Sequence, residues 1–274
     1  MKNYIIISLI LLMSISAVSY AWAPTESDLD DLAKQLSTKD GVQKFVLKYQ
    51  KQLDDDEFDL GTAIINGEAV HGTAFVHKKA DKNEGFSHLK RGSSTASTCY
   101  SFTSGKKWRT KENWIVNPAN SQGLSSTFLL NNVGADIQKW ETAANRDIFS
   151  TGILTAQTLV ADSSAPDGKN EVYFADVSTK NAIAVTIVWW NYYGIIEWDQ
   201  IYDDVDFQWS STGAPGKMDF ENIATHEIGH AFGMGHPSST CKEETMYYSA
   251  AYGETKKRSL NTGDITGIKK LYSV

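Results

Sequence analysis

The run His226-Glu227-Ile228-Gly229-His230-Ala231-Phe232-Gly233-Met234-Gly235-His236 constrains this chain more than any other feature. His226 and His230 are four apart, so on a helix they stand one turn above each other on one face. Two imidazoles so placed can aim ring nitrogens at one metal ion, and zinc suits that donor set. Glu227 sits about 100° round the helix from His226. It therefore flanks the ion without ligating it, where it can accept a proton from water. Gly233 stops the helix and supplies the backbone freedom for a sharp turn. The chain can then swing back and make His236 the third ligand. Three protein ligands leave a fourth position open, which is the arrangement of a catalytic zinc site rather than a structural one. The spacing predicts a helix from about Phe220 to Phe232, N-capped by Asp219.

The N-terminus points to export. Lys2 precedes an apolar run from Tyr4 to Val18, followed by small residues at Ser19, Ala21 and Ala23. A positive start, a hydrophobic stretch and a small-residue cleavage site read as a secretory signal peptide, residues 1–21, cut after Ala21. A retained anchor is the alternative, but the run is short for a spanning helix and no other segment is long enough. The expected location is secreted, with no membrane partner after cleavage. In an oxidising compartment the two cysteines, Cys99 and Cys241, fit one disulfide, with two buried thiols as the alternative. A formal charge of −7 gives no basic footprint, so nucleic acid is not an expected partner.

Residues 22–95 read as a separate N-terminal segment. Helical spacing is expected within Glu26 to Leu53, at Leu29, Leu32, Ala33 and Leu36 and again at Val42, Phe45, Val46 and Tyr49. Short strands are expected over Gly61 to Val76. Lys78 to Thr98, rich in Lys, Gly, Ser and Thr, reads as an exposed linker. Beyond it the pattern becomes α+β. Strands are expected at Lys107–Val116, Gly152–Val160, Glu171–Phe174, Ala182–Trp190 and Ile195–Tyr202, the last two joined as a hairpin by the turn Asn191–Gly194. An amphipathic helix is expected over Ser125–Ala144, and another from about Asp264 to Tyr272.

The zinc run, with Gly233 and His236 at its later positions, carries the extended signature of the metzincin peptidases. Met246, in Thr245-Met246-Tyr247-Tyr248, stands where their Met-turn lies. From Cys99 to Val274, about two-thirds of the chain, the sequence is most similar to the matrixins. Ile196-Glu197-Trp198-Asp199, with Phe207 and Trp209, resembles the strand and loop before the matrixin active-site helix. Asp264-Ile265-Thr266-Gly267-Ile268, ending in Leu271-Tyr272, resembles the matrixin C-terminal helix. The resemblance implies an α+β catalytic domain over 96–274, with a twisted five-stranded mixed sheet, three helices and zinc at the centre of a cleft. It further implies a zinc endopeptidase, with Glu227 as general base, that takes extended peptide or protein substrates along an exposed edge strand Ala182–Val188. Residues 22–95 would be a propeptide. Tyr248 is a candidate hydrogen-bond donor to the tetrahedral intermediate. Calcium is a further candidate ligand, through carboxylates such as Asp162, Asp167 and Asp176.

Three departures from the matrixins stand out. The remaining histidines, His71, His77 and His88, precede the catalytic region, so the second, structural zinc site is missing. The PRCGxPD propeptide motif is missing too, and Cys99 sits in Ser-Thr-Cys-Tyr, which speaks against a cysteine switch. Tyr248 replaces the usual Pro and is closer to the astacin-like pattern. Two other readings stay open: a binding module on an inactive scaffold, and a hydrolase of a non-peptide bond.

Overall fold

A computed structural model describes residues 42–80 and 98–273. The leader, the helical spacing at Leu29–Leu36 and most of the Lys78–Thr98 linker lie outside the described residues. In chain order the strands and helices are β1 (Lys44–Phe45), β2 (Lys51–Gln52), β3 (Glu57–Ile65), β4 (Glu68–Lys79), β5 (Ser101–Phe102), β6 (Ile115–Val116), α1 (Ser126–Ala144), β7 (Ile153–Leu154), β8 (Glu171–Val177) and β9 (Ala182–Trp190). There follow β10 (Ile195–Asp203), β11 (Trp209–Ser210), β12 (Met218–Asp219), α2 (Phe220–Ala231), β13 (Met234–Gly235), β14 (Ser249–Ala250), a 3-10 turn Lys256–Arg258 and α3 (Thr262–Tyr272).

The expected α+β domain is present. Its five-stranded mixed sheet has the order β9-β10-β8-β6-β7, with β9 antiparallel to β10 and the other pairs parallel. Three α-helices accompany it among the described residues. β9 reads AIAVTIVWW, apolar on both faces, because both are covered. On one face Ala184 and Val188 meet α1 and α2 through Leu129, Val133, Ile137, Trp140, Ile223 and Ile228. On the other, Val185, Ile187 and Trp189 meet Phe58, Leu60, Val70, Ala74 and Val76.

That second face corrects one expectation. Ala182–Val188 is not an exposed edge, because β4 pairs antiparallel with β9 from His71↔Trp190 to Lys78↔Ala182. β3 pairs with β4 in turn, extending the sheet to β2-β3-β4-β9. Asn66 (φ 51°) and Gly67 (φ 84°) make the tight turn between them, a left-handed pair that suits Asn-Gly hairpins. An unpaired edge presents a row of free N–H and C=O groups, and the N-terminal segment satisfies it.

Three further expectations fall to tertiary packing. Residues 42–53 are not helical: over Lys44–Lys48, Phe45 and Leu47 are buried while Lys44, Val46 and Lys48 are exposed, a period of two rather than 3.6. Lys107–Val116 forms a strand only at Ile115–Val116. Trp108 and Trp114 are buried from irregular backbone, and their indoles donate to Ala231 O and Ser150 O, both at 2.8 Å. Gly152–Val160 pairs only at Ile153–Leu154; beyond that, the loop carries Leu159 and Ala161 into the outer core.

Cys99 and Cys241 form a disulfide with Cα atoms 5.6 Å apart. It ties the start of the catalytic region to the loop before Met246. In the chain-entropy picture a closure of 142 residues contributes about 5 kcal/mol.

Candidate active site and metal centre

Helix α2 carries three of the site's side chains. Asp219 caps it, accepting from Asn222 N at 2.9 Å, and is itself held by Arg258 at 2.6 Å. His226, Glu227 and His230 are all fully buried. Gly233, at φ 95°, turns the chain into β13, whose pairing with β5 delivers His236. The three Nε2 atoms converge: His226 to His230 and His230 to His236 are 3.1 Å, and His236 to His226 is 3.2 Å.

The protons on these rings are fixed by their partners. His226 Nδ1 donates to Thr245 O at 2.7 Å, and His230 Nδ1 donates to Met234 O at 2.8 Å. A carbonyl can only accept, so Nε2 of both rings bears the lone pair. Burial, first of all, pushes both imidazoles well below their ordinary pKa and keeps them neutral. Lone pairs facing one another at 3.1 Å repel unless a cation lies among them. Tetrahedral zinc with bonds of about 2.0–2.1 Å needs nitrogens about 3.3 Å apart, close to what is present. The residues fit the ion.

Glu227 lies beside His226 and His77, with ligand atoms of the three residues within 4.8 Å of one another. Its Oε2 accepts from Thr186 Oγ1 at 2.5 Å, and its Oε1 from His77 Nδ1 at 3.0 Å. His77 Nε2 accepts from Lys257 Nζ at 2.9 Å, which leaves the ring proton on Nδ1. Burial pushes the Glu227 carboxyl up to about 8, with the Thr186 bond and the Lys257 charge opposing it. Burial likewise holds His77 well below its usual value, so the contact is a hydrogen bond from a neutral ring.

Met246 is fully buried beneath this cluster. A Cβ at Gly229 would run into Met246 Sδ and Trp140, so the glycine inside the zinc motif is required by close approach. The turn at Thr245–Met246 is held from α3: Asp264 accepts from Thr245 N at 2.7 Å and Met246 N at 3.1 Å. Tyr248 is buried, with its ring centroid 6.5 Å from that of His236 and its hydroxyl accepting from Tyr247 at 3.0 Å. Of the carboxylates named for calcium, Asp162 stands in a group with Glu197 and Asp199, their oxygens within 4.8 Å of one another. Asp167 instead pairs with Lys169, and Asp176 takes no part in the group.

His77, Thr186, Lys257 and Asp56, the last 3.3 Å from His236 Nδ1, escaped the sequence reading. Only His77 had left a trace. In the alternating run Thr73-Ala74-Phe75-Val76-His77, Phe75 and His77 share one face.

A helix-borne pair of histidines, a third after a glycine turn, a flanking glutamate and a buried methionine floor define a metzincin-type centre. The matrixin profile of peptidase family M10 matches residues 77–273, and the chain belongs to that family. It is 43% identical to Metalloendoproteinase 1-MMP of Arabidopsis thaliana over 72 residues, which are 26% of this chain and 18% of that protein. It is 36% identical to Metalloendoproteinase 1 of Glycine max over 77 residues, 26% and 24% of the two chains. With human Matrilysin it shares 39% over 69 residues, 25% of each. These matches span a quarter or less of the relatives' length.

Proposed function

We propose that this chain is an exported zinc endopeptidase whose ion is held by His226, His230 and His236. The observation that carries the reading is the convergence of three Nε2 lone pairs with a glutamate beside them. Zinc held there would supply Lewis acidity, lowering the pKa of water towards about 7 and polarising a carbonyl. The chain's own residues do the rest. Glu227 takes a proton from the attacking water and hands it to the departing amine, so that water is added across the C–N bond. Thr186 holds one oxygen of Glu227 and so orients the carboxylate. Thr245 O and Met234 O orient two of the three imidazoles. Tyr248, beside His236, is assigned the hydrogen bond to the developing oxyanion. Once β4 has left its edge, β9 is assigned the pairing with an extended substrate, whose side chains would alternate into pockets. The reading includes export after cleavage at Ala21 and a propeptide spanning 22–95, cut between Lys78 and Thr98, with Lys90-Arg91 as one candidate.

Digestion of a broad peptide library by the processed protein tests this. Internal cleavage that stops with a zinc chelator and returns with added zinc is expected. Cleavage indifferent to the chelator, or none by a zinc-loaded processed chain, would sink it.

Calcium is proposed at Asp162, Glu197 and Asp199. Glu197 Oε1 and Asp199 Oδ1 are buried without a hydrogen-bond partner, which a cation would supply. Burial raises Glu197 to about 8 and Asp162 to about 6, and pushes Asp199 well upward. Carboxyls raised on folding favour the protonated state, so the cation-free fold loses stability as pH climbs through that range. Calcium offsets the loss. At pH 8, calcium at about 100 times its Kd should stabilise by about 2.7 kcal/mol, and at pH 5.5 protons compete and the gain shrinks. Thermal melts with calcium and with chelator at both pH values check this; a melting temperature indifferent to calcium at pH 8 rules the site out.

A further inference from the structure

We infer that the β3–β4 hairpin is a built-in inhibitor of the zinc site: β4 takes the place of an extended substrate on β9, and His77 occupies the carboxylate that must receive the proton. This rests on the peptidase reading above.

Four observations carry it. First, β9 has no free edge, since β10 pairs along one side and β4 along the other. A peptide substrate that adds as a strand needs that second side. Second, the catalytic side chains are sealed: His226, Glu227 and His230 have no exposed surface, and β4 contributes to the seal. Phe75 lies flat on His230, centroids 4.0 Å apart and planes within 7°, and stands edge-on to His236 at 5.6 Å. His77 packs on His226 at 3.8 Å. Third, both oxygens of Glu227 are engaged, one by Thr186 and one by His77. The Thr186 bond belongs to the catalytic region. The His77 bond comes from the hairpin and is braced from behind by Lys257. Fourth, no thiol is free to do the job. The chain has two cysteines, and they are joined to each other.

Cutting the chain after Lys79 would not by itself free the site. Phe58, Leu60, Val70, Ala74 and Val76 share a core with Val185, Ile187 and Trp189. The ladder to β9 runs from His71 to Lys78. The hairpin therefore stays seated after the cut, and activity comes with its loss or digestion.

The test uses the zinc-loaded full chain with a site-specific protease recognition sequence placed between Lys79 and Thr98. Three samples are compared: intact, cut with the fragment retained, and cut with the fragment removed. Hydrolysis of a quenched-fluorescent peptide library should be low in the first two and rise about a hundredfold in the third, the ratio for a hairpin seated about 99% of the time. Two readouts do not depend on hydrolysis. Loss of the fragment should deprotect the β9 amides that face β4 in hydrogen exchange, and should speed transfer of zinc to a chelator. Added peptide spanning residues 57–79 should restore inhibition, and the same peptide carrying Phe75→Ala and His77→Ala should inhibit more weakly. An intact chain that hydrolyses the library as fast as the fragment-free one overturns the inference. If fragment loss opens β9 and the zinc but nothing is cleaved, blockade of the site by the hairpin is supported and the peptidase reading fails. Should the fragment-free protein not stay folded, Val76→Asp in the full chain decides, because it unseats the hairpin from its apolar side, away from the histidines. A gain in hydrolysis supports the inhibitor; a loss, as a permanent structural strand requires, overturns it.

Discussion

Glu227→Gln should leave zinc content at one ion per chain and lower peptide hydrolysis by about 10³–10⁴-fold, measured on protein freed of its N-terminal segment. The substitution suits the pocket. The amide oxygen can still accept from His77 Nδ1 while that ring is present, and the amide N–H₂ can donate to Thr186 Oγ1. Size is kept, and the three histidines are untouched. What is lost is the ability to take a proton. General acid–base groups contribute about 10²–10⁴-fold, and this one serves two transfers, so the upper end is expected. Zinc stoichiometry and kcat/KM measured side by side decide it. A variant that holds its zinc and cleaves within about tenfold of the parent shows that the carboxylate is not the base.

The convergence of His226, His230 and His236 was legible because its geometry is almost entirely local. Residues four apart on a helix meet without help from the rest of the fold, and Gly233 is the kind of residue that permits the turn to His236. α1, the β9–β10 hairpin and the Asp219 cap were legible for the same reason. Each is written in a periodicity or a cap within one stretch of chain.

Local pattern failed where partners are distant in sequence. His77 meets Glu227 across 150 residues, and no spacing rule reaches that far. Its place upstream of the catalytic region does not keep it from the site, since strand order in a sheet need not follow chain order. The helical spacing of Val42, Phe45, Val46 and Tyr49 was real as a pattern, but pairing of Lys44–Phe45 with β8 overrode it. Trp108 and Trp114 suggested a strand because aromatic residues favour one. Their positions are set by core packing and by indole donors seeking carbonyls, not by a ladder. The apolar run in β9 announced burial on both faces without naming the cover, and that cover proves to be the hairpin.

His230→Ala separates the ion from the carboxylate, and its effect should be the larger of the two. In the proposed centre His230 is one of three equivalent ligands, its Nε2 3.1 Å from each of the other two. Removing it leaves two nitrogens, short of the three protein ligands a catalytic zinc requires. Met234 O also loses the His230 bond and keeps only the one from Thr103 Oγ1, a loss of about 1 kcal/mol. Phe75 loses the ring on which it is stacked, so the substitution also opens a cavity against the hairpin. Zinc content should fall from one per chain to near zero after dialysis, hydrolysis should fall to the uncatalysed background, and the melting temperature should drop. The drop combines the lost contacts with the lost ligand linkage, which reaches about 4 kcal/mol when free zinc is about a thousandfold above its Kd. Adding zinc should raise the melting temperature of the parent and leave the variant unchanged. That contrast isolates the metal from the cavity, because a cavity lowers stability whether or not zinc is present. A His230→Ala chain that still carries one zinc and still cleaves peptides would place the catalytic ion elsewhere in the molecule.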